Sequence, residues 1–203
     1  MSHRLGFNKL DESFYQRTDV TRVAKELLGK TLYTRTGRRI SSGIIVETEA
    51  YSHREKGCHA YMNRMTPRNE VMFNAGGYAY VYLCYGIHNL FNVVTGPQGT
   101  GDAVLIRALE PVDGLEDMKT RMNADTVRRI TSGPGKLTKA LGIDRSFNGK
   151  HLTGSDVWIA EEGISVRKSQ IIASPRIGID YAGKDAELPW RYTIAGNIWV
   201  SKP

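Results

Sequence analysis

Apolar positions along this chain change their spacing several times, and each change marks an element. Val20, Val23, Ala24, Leu27 and Leu28 recur at three- and four-residue steps, which predicts a helix over 19–29. Thr18 or Asp19 can cap its start, and Gly29 can end it. The pattern then becomes extended, and 30–36 and 39–52 read as two strands joined at Gly37. A polar loop covers 53–68, and the Pro67 region opens a short helix through Phe73. Gly76 and Gly77 break the chain before a second strand pair, 78–84 and 88–94, with Tyr85 and Gly86 at the bend. Another apolar strand occupies 103–109, and 111–122 and 125–130 read as helices. A third helix starts near Ser132, with Pro134 in its first turn, where a missing N–H is harmless. Short strands are expected around Val157, Ile164, Ile171 and Ile177 and over 191–194. Strands cluster with helices between them, which favours α+β over a doubly wound parallel sheet.

Strand alternation puts Glu47, Glu49 and Tyr51 on one face and Val46, Thr48 and Ala50 on the other. A wet polar face would explain this, but the flanking Ile44, Ile45 and Val46 point to a buried strand. An ionised carboxylate there must be paired or functional. Tyr78, Tyr80 and Tyr82 form a similar row, either as cross-strand packing or as a platform on which bases stack. Tyr85 sits at a hairpin tip, where an aromatic either folds back on its sheet or enters a partner.

Composition narrows the classes. At 203 residues the chain is long enough for one self-sufficient core, and 1–203 reads as a single domain. Lys and Arg number 28 against 21 Asp and Glu, a net charge of +7 that favours polyanionic partners. The cations recur in groups, among them Arg64/Arg68 and Lys136/Lys139, which are either solvated faces or phosphate contacts. Two cysteines, Cys58 and Cys84, make no zinc knuckle and suit free thiols in a reducing compartment. Residues 1–10 lack the apolar run of a signal peptide, and no segment is long enough to span a membrane. His53 and His59 have no third ligand at a metal-binding spacing, and neither a phosphate loop nor a nucleophile elbow is present.

The segments LLGKTL (27–32), IIVETEAY (44–51), His59, TPRNEVMF (66–73), GYAYVYLCYGIHNLFNVV (77–94), AVLIRALEP (103–111), SGPGKLTKALGI (132–143) and PRIGIDYAG (175–183) run nearly the length of the chain. Together they resemble the alkyladenine (3-methyladenine or N-methylpurine) DNA glycosylase family. The resemblance implies a compact α+β domain with a curved, mostly antiparallel sheet, surrounding helices and a protruding β-hairpin that meets the minor groove. It implies a monofunctional enzyme of base excision repair, acting as a monomer on double-stranded DNA with damaged purines and needing no cofactor or metal. The expected location is intracellular, in the cytoplasm or nucleoid, or the nucleus in a eukaryote. By position, Glu49 matches the general base, and Arg107 the arginine that helps position water. Tyr51, His59 and Tyr82 match the rings enclosing the flipped base. Asn92 matches the asparagine that disfavours guanine's amine, and Tyr85 the residue wedged into the duplex. Arg68, Lys136 and Lys139 are the expected backbone contacts.

One segment departs from the family. Many members carry a Gly-Pro-acidic run where this chain has SHREKGC (52–58), so His53 rivals His59 for the pocket position. Glu47 either supports Glu49, raises its pKa by like-charge repulsion, or forms a structural ion pair. Two other functions fit parts of the pattern. A sugar hydrolase would use Glu47 and Glu49 as a pair about 6–7 Å apart, but neighbours on one strand cannot flank a substrate. A non-catalytic nucleic-acid binder would use the tyrosines and cations, yet gains nothing from a carboxylate facing a polyanion.

Overall fold

The thirteen-residue strand β2, Arg39–Tyr51, is the spine of the molecule in a computed structural model describing residues 7–202. Residues 1–6 of the segment read for a targeting signal lie outside this range. The first half of β2 pairs with β1 (Thr31–Thr36), from Thr36 opposite Arg39 to Thr31 opposite Ile44. Beyond β1 the same edge passes to β8 (Arg191–Ile194), with Glu47 opposite Thr193 and Glu49 opposite Arg191. The other edge pairs with β5 (Asp102–Pro111). Strands β3 (Ala79–Cys84), β4 (His88–Thr95), β6 (Val157–Ala160) and β7 (Ile171–Ser174) complete the sheet. Its order is β3–β4–β5–β2–β1–β6, with β8 beside β2 and β7 beside β8. Every pairing among the described residues is antiparallel. With helices packed on it, the fold is α+β.

The β2–β5 register slips between Ile45 and Glu47 and returns between Glu47 and Thr48. Val46 on β2 and Arg107 on β5 are each left without an opposite residue. An extra residue in one strand reverses which face its neighbours occupy. Ile45 and Ala50 therefore share one hydrophobic core despite their opposite parity. The strict alternation expected through Val46 fails at this bulge and holds only beyond it. There Thr48 Oγ1 donates to Ala24 O at 2.9 Å on the helix side, while Glu47 and Glu49 turn the other way.

Among the described residues four α-helices accompany the sheet: α1 (Glu12–Tyr15), α2 (Val20–Glu26), α3 (Leu115–Met122) and α4 (Pro134–Leu141). Asp19 caps α2 by accepting from the Thr21 and Arg22 amides, an arrangement worth about 1 kcal/mol. Val20, Val23 and Ala24 point into the core, as their spacing predicts. Leu137, Ala140 and Leu141 do the same for α4, leaving Lys136 and Lys139 outside.

Several expected elements differ. Residues 125–130 form turns rather than a helix, with Arg129 at φ +60°. Val127 and Ile130 reach the core from a turn closed by the Ile130 amide on Val127 O. Helix α3 begins at Leu115, not at 111, because β5 runs on to Pro111 and Gly114 turns the chain. The helix expected through Phe73 is a single 3₁₀ turn, Glu70–Phe73. Ile164 and Ile177 belong to no strand. Among the described residues, no helix is long and apolar enough to cross a membrane.

The main core lies between the helices and the sheet, with Phe91, Ile106, Leu109 and Leu137 fully buried. A second, smaller core gathers Cys58, Ala60, Met72, Phe73, Tyr80, Val94 and Ala103, and Tyr51 and Tyr82 pack against it. This second core forms the bed of the molecule's main aromatic cavity.

Candidate active site

A cavity of about 670 Å³ opens between the β3–β4 hairpin, the start of α4, the loop after Tyr51 and the 177–181 segment. That volume is ordinary for a cleft that encloses a small ring system. Tyr51, His59, Tyr80, Tyr82, Asn92, Arg107 and Ile177 are among its lining residues.

One wall is a connected aromatic cluster. The His59 ring meets Tyr82 edge-on at 4.6 Å, and Tyr80 stacks beside Tyr82 at 5.4 Å. His59 Nδ1 and the Tyr80 hydroxyl share a hydrogen bond of 3.0 Å, which fixes the imidazole's rotation. Crowding by these walls, then the Arg68 charge, pushes His59 down to about 4. The ring keeps an open side to solvent, which tempers the shift without reversing it. It is therefore neutral near pH 7. Asn92 Nδ2 donates to Tyr80 O and, at longer range, to Leu90 O, so the backbone orients the carboxamide.

Behind the floor lies a closed acid network. Glu47 and Glu49 have no exposed surface. Glu49 Oε2 accepts from the Tyr51 hydroxyl at 2.8 Å and from Arg107 Nη1 at 3.2 Å, while Oε1 accepts from the Ile177 amide at 2.8 Å. All three donors line the cavity, but Glu49 itself stands one hydrogen bond behind its surface. Burial raises the Glu49 pKa above the usual carboxylate value. Arg107, the Ile177 amide and Tyr51 oppose the rise, and each favours the ionised form. Glu47 takes the structural role: Arg107 Nε, Arg191 Nε and the amide and hydroxyl of Ser201 all donate to it at 2.7–3.0 Å.

The two strands that flank β2 bring these groups together. Arg107, the unpaired residue of β5, faces both Glu47 and Glu49 from across the register slip. The other edge of β2 brings Arg191 from β8.

The rim is built differently. Tyr85 at φ +50° and Gly86 at φ +72° make the left-handed pair that a primed hairpin turn requires. The tip projects Tyr85, 88% exposed, and Ile87, 74% exposed. Arg68 lies over the Tyr82 ring at 5.6 Å. Across the opening, α4 starts so close to the hairpin that a Cβ at Gly135 would sit 2.8 Å from the His88 ring. Lys136, exposed on the first turn of α4, also lines the opening.

Of the residues singled out in the sequence, Arg107, Tyr51, His59, Tyr82, Asn92, Tyr85, Arg68 and Lys136 all line this one cavity. Glu49 lies just behind it, and Lys139 is exposed further along α4, away from the lining. His53, the rival of His59, instead turns to Asp102, with its amide and Nδ1 both on Asp102 Oδ1. The sequence reading placed Tyr80 only in a row for packing or base stacking, and gave no role to the Ile177 amide, Arg176 or Tyr181. Tyr80 was legible from its parity with Tyr82, whereas an amide in a loop leaves no side-chain signal. No group of His, Cys, Asp and Glu suited to a metal ion gathers among the described residues.

The family model for methylpurine-DNA glycosylase matches residues 13–198 of the chain. A relative from Carboxydothermus hydrogenoformans is 48% identical over 193 residues, covering 95% of this chain and 98% of its own. One from Chlamydia felis is 46% identical over 196 residues, with the same coverage. One from Bacillus cereus is 46% identical over 201 residues, covering 94% and 97%. All three carry, provisionally, the name 3-methyladenine DNA glycosylase.

Proposed function

Because the chain belongs to the methylpurine-DNA glycosylase family, we propose that it is a monofunctional DNA glycosylase of base excision repair. It turns an alkylated or deaminated purine out of double-stranded DNA and hydrolyses the N-glycosidic bond, leaving an abasic site. The observation that carries this reading is the buried Glu49 carboxylate, joined just behind the floor of an aromatic cavity by three hydrogen bonds from its lining residues Tyr51, Arg107 and Ile177.

A base inside the helix is out of reach, so it must leave the stack at a cost of about a few kcal/mol. Tyr85 is the plug that fills its place, held outward at the hairpin tip. Tyr51, His59 and Tyr82 take the base between them, with Asn92 at the floor. A cationic alkylpurine gains roughly 0.5–2 kcal/mol from the electron-rich rings. The neutral His59 adds no repulsion. Glu49 accepts three of the roughly four hydrogen bonds a carboxylate can take, and the remaining site receives the proton of the attacking water. The water oxygen bonds to C1′ as the glycosidic electrons pass to the purine, neutralising a cationic one. A neutral lesion such as hypoxanthine must gain a proton as it leaves. The carboxylate also offsets the positive charge that develops on the sugar, and Arg107 orients the reacting groups. Arg68 and Lys136 hold phosphates beside the opening, and Lys139 does so further out. Water is the only co-substrate, so no cofactor enters, and a monomer inside the cell suffices.

Glu49→Gln keeps the side chain's shape and removes the base. Release of a damaged purine from a defined duplex should fall by about 10²–10⁴-fold, with lesion binding within a few-fold of the parent. Equal loss of both would make Glu49 structural. Tight lesion binding by a parent protein that releases no base from a panel of damaged duplexes would leave the non-catalytic binder instead.

A further inference from the structure

Behind the cavity wall lies a second buried ion pair that the reaction above does not use. Arg176 and Glu55 meet as a fork, Nη1 to Oε1 and Nη2 to Oε2, both at 2.7 Å. The arginine side chain is wholly buried and the glutamate nearly so. Burying opposite charges carries a desolvation penalty that two apolar side chains would avoid. The other contacts of this pair give it a purpose.

Arg176 Nη1 also donates to Ala50 O at 2.9 Å, gripping the peptide between Glu49 and Tyr51. The guanidinium lies 4.7 Å from the Tyr51 ring and 5.3 Å from Trp190. Nη2 holds Asp185 O at 3.0 Å. The next residue, Ile177, supplies the amide that binds Glu49 Oε1. Glu55 belongs to the loop leading to His59, and one of its oxygens accepts from the Gly57 amide. One guanidinium thus ties together the end of β2, the His59 loop and the 176–179 segment. Arg107, Tyr51 and Glu47 face Glu49 from the sheet; from the loop side, among the described residues, the Ile177 amide holds it.

We propose that Arg176, anchored by Glu55, is a positioning residue for base release: it fixes the Tyr51 ring from behind and presents the Ile177 amide to Glu49. The proposal rests on Glu49 being the general base. Its test therefore includes a readout that needs no catalysis.

In Arg176→Met combined with Glu55→Gln, no lone charge is left buried. The double variant should release a damaged purine about 30-fold more slowly in single turnovers, with KM for the lesion duplex within about threefold of the parent. Losing the aligned amide removes a donor that favours the Glu49 carboxylate, so the acid limb of the rate profile should move to higher pH. The Ile177 amide resonance reports the same titration by NMR without any substrate, and its midpoint should rise too. An unchanged rate with an unchanged midpoint would make the pair merely structural and overturn the proposal. A shifted midpoint in a protein whose parent releases no base would support the positioning while refuting the general-base reading. Should the double variant fail to fold, Arg176→Lys carries the same decision. It keeps the charge but not the fork, so parent-like kinetics and midpoint would overturn the proposal.

Discussion

The floor and the rim of the cavity are built on opposite terms. At the floor, Glu47 and Glu49 are fully enclosed, and each carboxylate is fixed by donors from at least three chain segments. At the rim, Tyr85 and Ile87 stand almost free on a turn of two left-handed residues. An enclosed charge is expensive to disturb, because its partners cannot be replaced by water. An exposed ring costs the fold nothing to change, and its value appears only when a partner covers it. Stability and chemistry should therefore fail together at the floor, while at the rim binding should fail alone.

The strongest way to break that contrast is Arg107→Met. It leaves Glu49 and Glu47 short of a shared cation, so denaturant unfolding should show a loss of about 3–5 kcal/mol. Single-turnover base release should fall by about 10²-fold or more. Unaltered stability would show that Arg191 and Ser201 suffice for Glu47, and Tyr51 and the Ile177 amide for Glu49. Tyr85→Ser tests the rim: affinity for a lesion duplex should weaken by about 1–3 kcal/mol, with the thermal midpoint unmoved. An equally tight complex would remove Tyr85 from the interface.

A pH–rate profile sharpens the comparison with smaller changes. As the proposed general base, Glu49 has to be ionised to accept a proton, and burial raises its pKa, so the rate should fall on acidification with a limb above 4.5. Below that limb the loss is about tenfold per pH unit. His59, lowered to about 4, should add no limb near 6.5, and its imidazole NMR resonances should titrate below that value. The smallest effect belongs to Lys136→Ala, a few-fold loss of affinity with the salt dependence reduced by about one unit of slope. Lys139→Ala, off the cavity lining, should lose less still; a larger loss would shift the backbone track along α4.

Much of this was legible because side-chain patterns carry it. The tyrosine hairpin, the long second strand and the 191–194 strand follow from alternation between glycine and polar breaks. The turns at 125–130 were hidden because Val127 and Ile130, three apart, look like one helical turn whether or not the chain continues winding. Ile177 resembled a strand residue, but its amide goes to a carboxylate instead of a neighbouring strand. The bulge at Val46 left no trace, since an inserted residue in a uniformly apolar run breaks no pattern. Glu49 stood out as a candidate for chemistry, yet its depth behind the floor depends on partners far along the chain. Of the site, the rings and cations were visible as residue types; the backbone donors were not.

That distance has a consequence for how the protein matures. The contacts on the two acids bridge large separations: 58 and 60 residues to Arg107, 128 to Ile177, 144 to Arg191 and 154 to Ser201. Loops of that size are slow to close, so late assembly of this network is the expected order of folding. A half-folded chain can already display its cations, but it lacks the assembled acid that the proposed cleavage of a sugar–base bond requires.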